Sequence, residues 1–88
     1  MKLRLFTLPN CPKCPAAKQL AEAIREKRRD IDVEVLDMSN PDNMITALMM
    51  QIASTPSFAI DDTAIFIGDV PSFDELNDRI DEYSCKKR

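Results

Sequence analysis

The chain has 88 residues, room for one domain (1–88) and not two, because units much below about 50 residues rarely bury enough surface to fold alone. Hydrophobic residues make up 44% and charged residues 31%, with a formal net charge of −3, four phenylalanines, one tyrosine and no tryptophan; that balance excludes disorder as the default and argues against a nucleic-acid binder. Three cysteines and no histidine exclude histidine-based catalysis and a disulfide-stapled secreted scaffold, so covalent chemistry must use thiols.

Taken in chain order, Lys2 to Thr7 alternates and then becomes continuously strand-like until Pro9-Asn10 stops it, which predicts β1 over about 2–7. From Pro12 to Arg29 there is no glycine. Cys14, Ala17, Leu20, Ala21 and Ile24 recur at helical steps while Lys18, Glu22, Arg25 and Arg29 fall elsewhere, so α1 is amphipathic. Asp32 to Asp37 alternates again as β2. Asn40 as N-cap and Pro41 as first helical residue open α2, whose expected buried stripe is Met44, Ile45, Leu48 and Ile52. Met44 reads as core, and at least one of Met49 and Met50 is expected to be exposed.

Ser54-Thr55-Pro56 breaks that helix. Pro56 to Ile60 and Ala64 to Ile67, separated by Asp61-Asp62-Thr63, have the pattern of a β-hairpin. Gly68 closes it, and a Ser72–Glu75 capping box opens α3 with Phe73, Leu76, Ile80 and Tyr83 on one face. The order β-α-β-α-β-β-α predicts an α/β fold, with a four-stranded mixed sheet flanked by three helices.

The chemistry concentrates at Cys11-Pro12-Lys13-Cys14, where β1 hands over to α1. Cys11 is expected at the helix N-cap, where unpaired N–H groups and the positive end of the helix dipole favour a thiolate. Pro12 is expected at the first helical position, stiffening the turn, and Lys13 adds a positive charge. Cys14 shares a stripe with Ala17, Ala21 and Ile24, so its sulfur is expected to point inward. One exposed and one shielded thiol suit a two-step exchange: Cys11 attacks a target disulfide, and Cys14 then resolves the mixed disulfide. Zinc would need four ligands, and only Cys85 remains. A metal carrier uses a CxxC after a first strand too, but usually with a methionine two residues before the first cysteine, where this chain has Pro9. A redox-inert interaction module is the other alternative.

Cys11-Pro12-Lys13-Cys14 after β1, Ser54-Thr55-Pro56-Ser57-Phe58 before a hairpin, and Phe66-Ile67-Gly68 leading through Pro71-Ser72 to a final helix resemble the glutaredoxin and small thioredoxin-like family over nearly the whole chain. The resemblance implies a thioredoxin-like fold with no bound cofactor. It also implies Cys11 as nucleophile, Cys14 as resolving thiol, and a cis Thr55–Pro56 bond where a substrate's backbone pairs. The partners implied are disulfide-containing target proteins and, as electron donor, a thioredoxin-type reductase or a small thiol. The glutathione-holding lysine, aromatic and Gly-Gly-x-Asp segment of glutaredoxins are replaced by Leu8, Lys13 and Gly68-Asp69. Asn10 stands where thioredoxins carry tryptophan, and Leu5 about where they carry a buried acid. The pattern is therefore closest to short thioredoxin-like proteins with a glutaredoxin-sized frame.

The longest apolar stretches are far below the roughly 20 residues of a membrane span, and Met1 to Leu8 leads to no cleavage-type region, so a cytoplasmic location is expected; the protein is also expected to be a monomer. Asp61-Asp62 reads as a turn and not as a ligand pair. Cys85 is expected to face solvent and to be dispensable for exchange. Pro15 reads as tolerated near a helix start.

Overall fold

The computed structural model describes Lys2 to Lys86, with side-chain surroundings through Tyr83. Among the described residues the order is β1(Lys2–Thr7), α1(Cys14–Lys27), β2(Asp32–Asp37), α2(Pro41–Met49), β3(Ser57–Ile60), β4(Thr63–Ile67) and α3(Phe73–Lys86). The four strands form one sheet in the order β2-β1-β3-β4. A parallel pair needs a crossover connection, and α1 supplies it between β1 and β2, with Leu3 opposite Val33 and Leu5 opposite Val35. Strand β3 runs antiparallel to β1, pairing Leu5 with Phe58 and Phe6 with Ser57. It also pairs antiparallel with β4, with a register shift between Phe58 and Ala59.

The two central strands bury apolar residues on both faces because both faces are covered. On one face Leu3, Leu5, Phe58 and Ile60 pack with Ala17, Ala21 and Ile24 of α1 and Leu76 and Ile80 of α3. On the other, Phe6 and Ala59 pack with Met38, Ala47 and Ile52. Each fully buried Leu, Ile or Phe side chain contributes about 1.5–3 kcal/mol. Arg28, just past α1, ties the helix layer together through Asn77 and Asp81 of α3, each at 2.8 Å.

The hairpin turns through Asp61 and Asp62 alone, with Ile60 opposite Thr63 and Asp61 at φ 53°. Asp61 is tied to the first strand, its Oδ1 accepting from the Lys2 N–H at 3.0 Å and its own N–H donating to the Lys2 carbonyl at 2.8 Å. The capping box at α3 is formed: the Ser72 hydroxyl accepts from the Glu75 N–H at 3.2 Å, and the Ser72 N–H donates to the Glu75 carboxylate at 3.5 Å. Phe73, Leu76, Ile80 and Tyr83 all pack toward the core.

Two expectations need correction. Helix α1 starts at Cys14 and not at Pro12, because Pro15 has no N–H to donate back to the Cys11 carbonyl. That carbonyl instead accepts from the Cys14 N–H at 3.4 Å, closing a turn, and regular helical bonding begins with Ala17 N–H to the Lys13 carbonyl at 3.2 Å. Lys13 therefore occupies the N-cap, without a capping side-chain bond, and Pro15 sits in the first turn, where its missing N–H is tolerated. The helix also ends at Lys27, two residues short of Arg29.

The second correction is in α2. Its inward stripe is half-buried Met44 and fully buried Ala47, while Ile45 and Leu48 are 55% and 62% exposed. Alanine lets the helix approach the sheet closely, which turns the neighbouring stripe outward. Gln51 at φ 60° ends the helix, so Ile52 reaches the core from the following loop and not as another turn of the stripe. Met49 is exposed and Met50 half-buried. The expectation for the Cys85 side chain lies outside the described residues.

Candidate active site

Strand β1 ends at Thr7, and Leu8-Pro9-Asn10 carries the chain over the carboxyl end of the sheet to Cys11, whose N–H donates to the Leu8 carbonyl at 3.3 Å. Cys11 and Cys14 are joined in a disulfide with their Cα atoms 5.3 Å apart, inside the usual range for such a bond. The two cysteines differ in access. Cys14 is 2% exposed, on the buried stripe of α1 with Ala17, Ala21 and Ile24, whereas Cys11 is half-buried.

The electrostatics of this corner favour negative charge. No acidic residue lies in the first turn of α1, and Lys13 is exposed beside the bond. Pro12 is exposed too, in the turn between the cysteines. Neither Pro12 nor Pro15 carries an N–H, so the donors at this helix start belong to Lys13, Cys14 and Ala16.

The register of β3 brings the second motif to the same end of the sheet. Because Phe6 is opposite Ser57, the residues just before Ser57 lie beside the exit of β1 toward Cys11. The Thr55–Pro56 peptide bond is cis, with Thr55 half-buried and Pro56 buried. The parallel partner ends here as well: Thr7 is opposite Asp37, and the Met38 N–H donates to the Thr7 carbonyl at 2.8 Å. The Asp37 carboxylate is held below its ordinary pKa of 3.8, chiefly by the Ser39 backbone N–H, donating at 2.9 Å, with the Ser39 hydroxyl and the charge of Lys18 adding to the effect.

One residue of this corner was not singled out by the sequence. Ser57 is fully buried, and its hydroxyl donates to the Ser54 carbonyl and accepts from the Gly68 N–H at 3.2 Å. The signal available beforehand was a lone hydroxyl leading an otherwise apolar strand. Among the described residues no group of three or more His, Cys, Asp or Glu side chains is placed to hold a metal ion. Among the same described residues no helix is long and apolar enough to cross a membrane.

Residues 1–81 match the family model described as a thioredoxin domain. The chain is 37% identical over 70 residues to a thioredoxin of Methanocaldococcus jannaschii, covering 77% of this chain and 79% of that protein. It is 32% identical over 83 residues to a probable thioredoxin of Methanothermobacter thermautotrophicus, covering 93% and 94% respectively. Among solved structures it is similar to a designed protein with assigned backbone chemical shifts, with a TM-score of 0.65 and 25% identity over 99% of this chain and 75% of that one.

Proposed function

The chain belongs to the thioredoxin-domain family and is a thiol–disulfide oxidoreductase, and on that premise we propose that it reduces disulfides in target proteins by dithiol exchange through Cys11 and Cys14. The observation that carries the reading is the unequal access of the two bonded cysteines, Cys14 at 2% exposure and Cys11 half-buried.

In the reduced protein the Cys11 thiolate attacks one sulfur of a target disulfide. A bond forms between Cys11 and the target, and the target's other sulfur leaves as a thiolate that takes up a proton. Cys14, deprotonated, then attacks the Cys11 sulfur, restoring the Cys11–Cys14 disulfide and expelling the target's second thiolate. The target gains two electrons and two protons: the cysteine pair supplies both electrons and the Cys14 proton, and solvent supplies the second proton. Burial of Cys14 keeps it from attacking targets directly, yet leaves it beside the only sulfur it must reach. Thr55 and Pro56 offer the edge along which the target's extended backbone pairs, and Pro12 and Lys13 stiffen and charge the turn.

A thioredoxin-type reductase or a small thiol other than glutathione returns the electrons. Glutathione is an anionic tripeptide that must be held by paired contacts, and Leu8, Lys13 and Gly68-Asp69 replace the groups that glutaredoxins use. Exposed Lys13 and Lys18 suit long-range steering of an acidic protein partner, an attraction that weakens as salt screens it over about 8–10 Å. The protein is proposed to act in the cytoplasm as a monomer, without a bound cofactor.

The test is reduction of insulin disulfides by the protein, regenerated with dithiothreitol. Turnover well above the dithiothreitol background supports dithiol exchange. Tight binding of one metal ion without turnover identifies a metal carrier instead, and neither result leaves an interaction module.

A further inference from the structure

Ser57 is the polar exception in a strand whose other residues, Phe58, Ala59 and Ile60, are buried and apolar. Burying a hydroxyl is costly unless it is paired, and here both its donor and its acceptor capacity are used. Its two partners lie in different loops: Ser54 precedes Thr55–Pro56, and Gly68 follows β4. A single side chain therefore binds the segment before β3 to the segment after β4.

A second observation concerns the same contact. Gly68 has φ +70°, and a Cβ at that position would lie 3.0 Å from the Ser54 Cβ, closer than the two segments can sit without shifting. The loops are held together by the Ser57 hydroxyl and touch where a side chain would be tight and the positive φ strained.

We propose that Ser57 is a positioning residue, which fixes the Thr55–Pro56 edge in the orientation that receives the backbone of a protein disulfide and so sets affinity for protein targets, without acting on the sulfur chemistry. The inference rests on the dithiol-exchange reading above. A substrate with no polypeptide backbone does not use that edge, and this separates positioning from catalysis.

The experiment compares insulin with hydroxyethyl disulfide as substrates of the wild type, Ser57→Ala, Ser57→Thr and Gly68→Ala, each first checked for folding by circular dichroism. Ser57→Ala, which removes both bonds, is expected to raise KM for insulin about two- to tenfold, while kcat and the rate with hydroxyethyl disulfide stay within about twofold. Ser57→Thr, which keeps the hydroxyl, is expected to restore KM to within about twofold of the wild type. Gly68→Ala, which pushes on Ser54 from the other side, is expected to reproduce the KM rise, and it carries the test alone if Ser57→Ala does not fold. An unchanged KM for insulin, or an equal loss on both substrates, overturns the positioning role while dithiol exchange stands. A wild type that reduces neither substrate overturns both.

Discussion

Phe6 of β1 lies directly opposite Ser57 of β3, and this one pairing puts the two separated motifs at the same end of the sheet. Phe6 is fully buried under α2, so its place is fixed by packing. A slip of one residue would turn its side chain to the opposite face. The residue after Phe6 leads to Cys11 and the residue before Ser57 is Pro56, so the hydrophobic pattern of two central strands determines where the disulfide and the cis peptide bond sit.

Cys11 in the reduced protein is expected to titrate below the ordinary thiol value of about 8.5. The cause is its position ahead of α1, with no carboxylate in the first turn and Lys13 at the N-cap. Thiolate absorbance followed against pH in the Cys14→Ser, Cys85→Ser protein reads it directly. A midpoint at or above the ordinary value would mean that the start of α1 exerts no useful field at this sulfur.

The pH dependence of Asp37 has a definite sign. Its pKa is lowered in the folded state, so the protons it binds on acidification are bound more readily by the unfolded chain. The stabilisation is present above the unfolded value of 3.8 and is lost as pH falls through the lower folded value. A carboxyl resonance titration is expected to place Asp37 below 3.8. Ser39→Ala removes the hydroxyl but keeps the backbone donor, so it is expected to recover only part of the shift.

The correction in α2 leads to a contrast in stability. Leu76 is fully buried between α3 and the sheet, and Leu76→Ala is expected to cost about 2–5 kcal/mol. Leu48 is 62% exposed, and Leu48→Ala is expected to change stability by about 0.5 kcal/mol or less. Urea denaturation of both variants measures the difference, and a large loss at Leu48 would contradict the outward orientation of its stripe.

What the sequence made legible follows from which features carry an unambiguous geometric signature. The offsets from Cys14 to Ala17, Ala21 and Ile24 have one helical solution, so the burial of Cys14 could be read in advance. Ser72 and Glu75 cap a helix by their spacing alone, and an Asp-Asp turn between apolar runs makes a hairpin. The start of α1 was obscured because two prolines, Pro12 and Pro15, both suit a helix start, and only the hydrogen bonds show which one occupies it. In α2 periodicity identified apolar stripes, but not that the small Ala47 and not Leu48 would face the sheet. The Ser57 link was invisible because its partners, Ser54 and Gly68, come together only through the hairpin fold.

The proposed electron donors set this protein apart from a glutaredoxin. Reduction of the Cys11–Cys14 disulfide by millimolar glutathione is expected to be slow and unsaturable, whereas a suitable thioredoxin-type reductase gives fast, saturable reduction. Stopped-flow assays with each donor make the comparison. Fast, saturable reduction by glutathione, with a glutathione adduct on Cys11, would show that replacing the lysine and aromatic of glutaredoxins by Leu8 and Lys13 had not removed the glutathione site.

The division of labour between the two cysteines is tested most directly by trapping. Cys14→Ser and Cys11→Ser, each in a Cys85→Ser background, are reduced, mixed with insulin, quenched with acid, and analysed by intact-mass spectrometry. The Cys14→Ser protein is expected to accumulate a covalent adduct with an insulin chain at Cys11, because nothing remains to resolve it. The Cys11→Ser protein, left with the buried Cys14, is expected to form little adduct. Equal trapping by both, or trapping chiefly by Cys11→Ser, would contradict the assignment of Cys11 as nucleophile and Cys14 as resolving thiol.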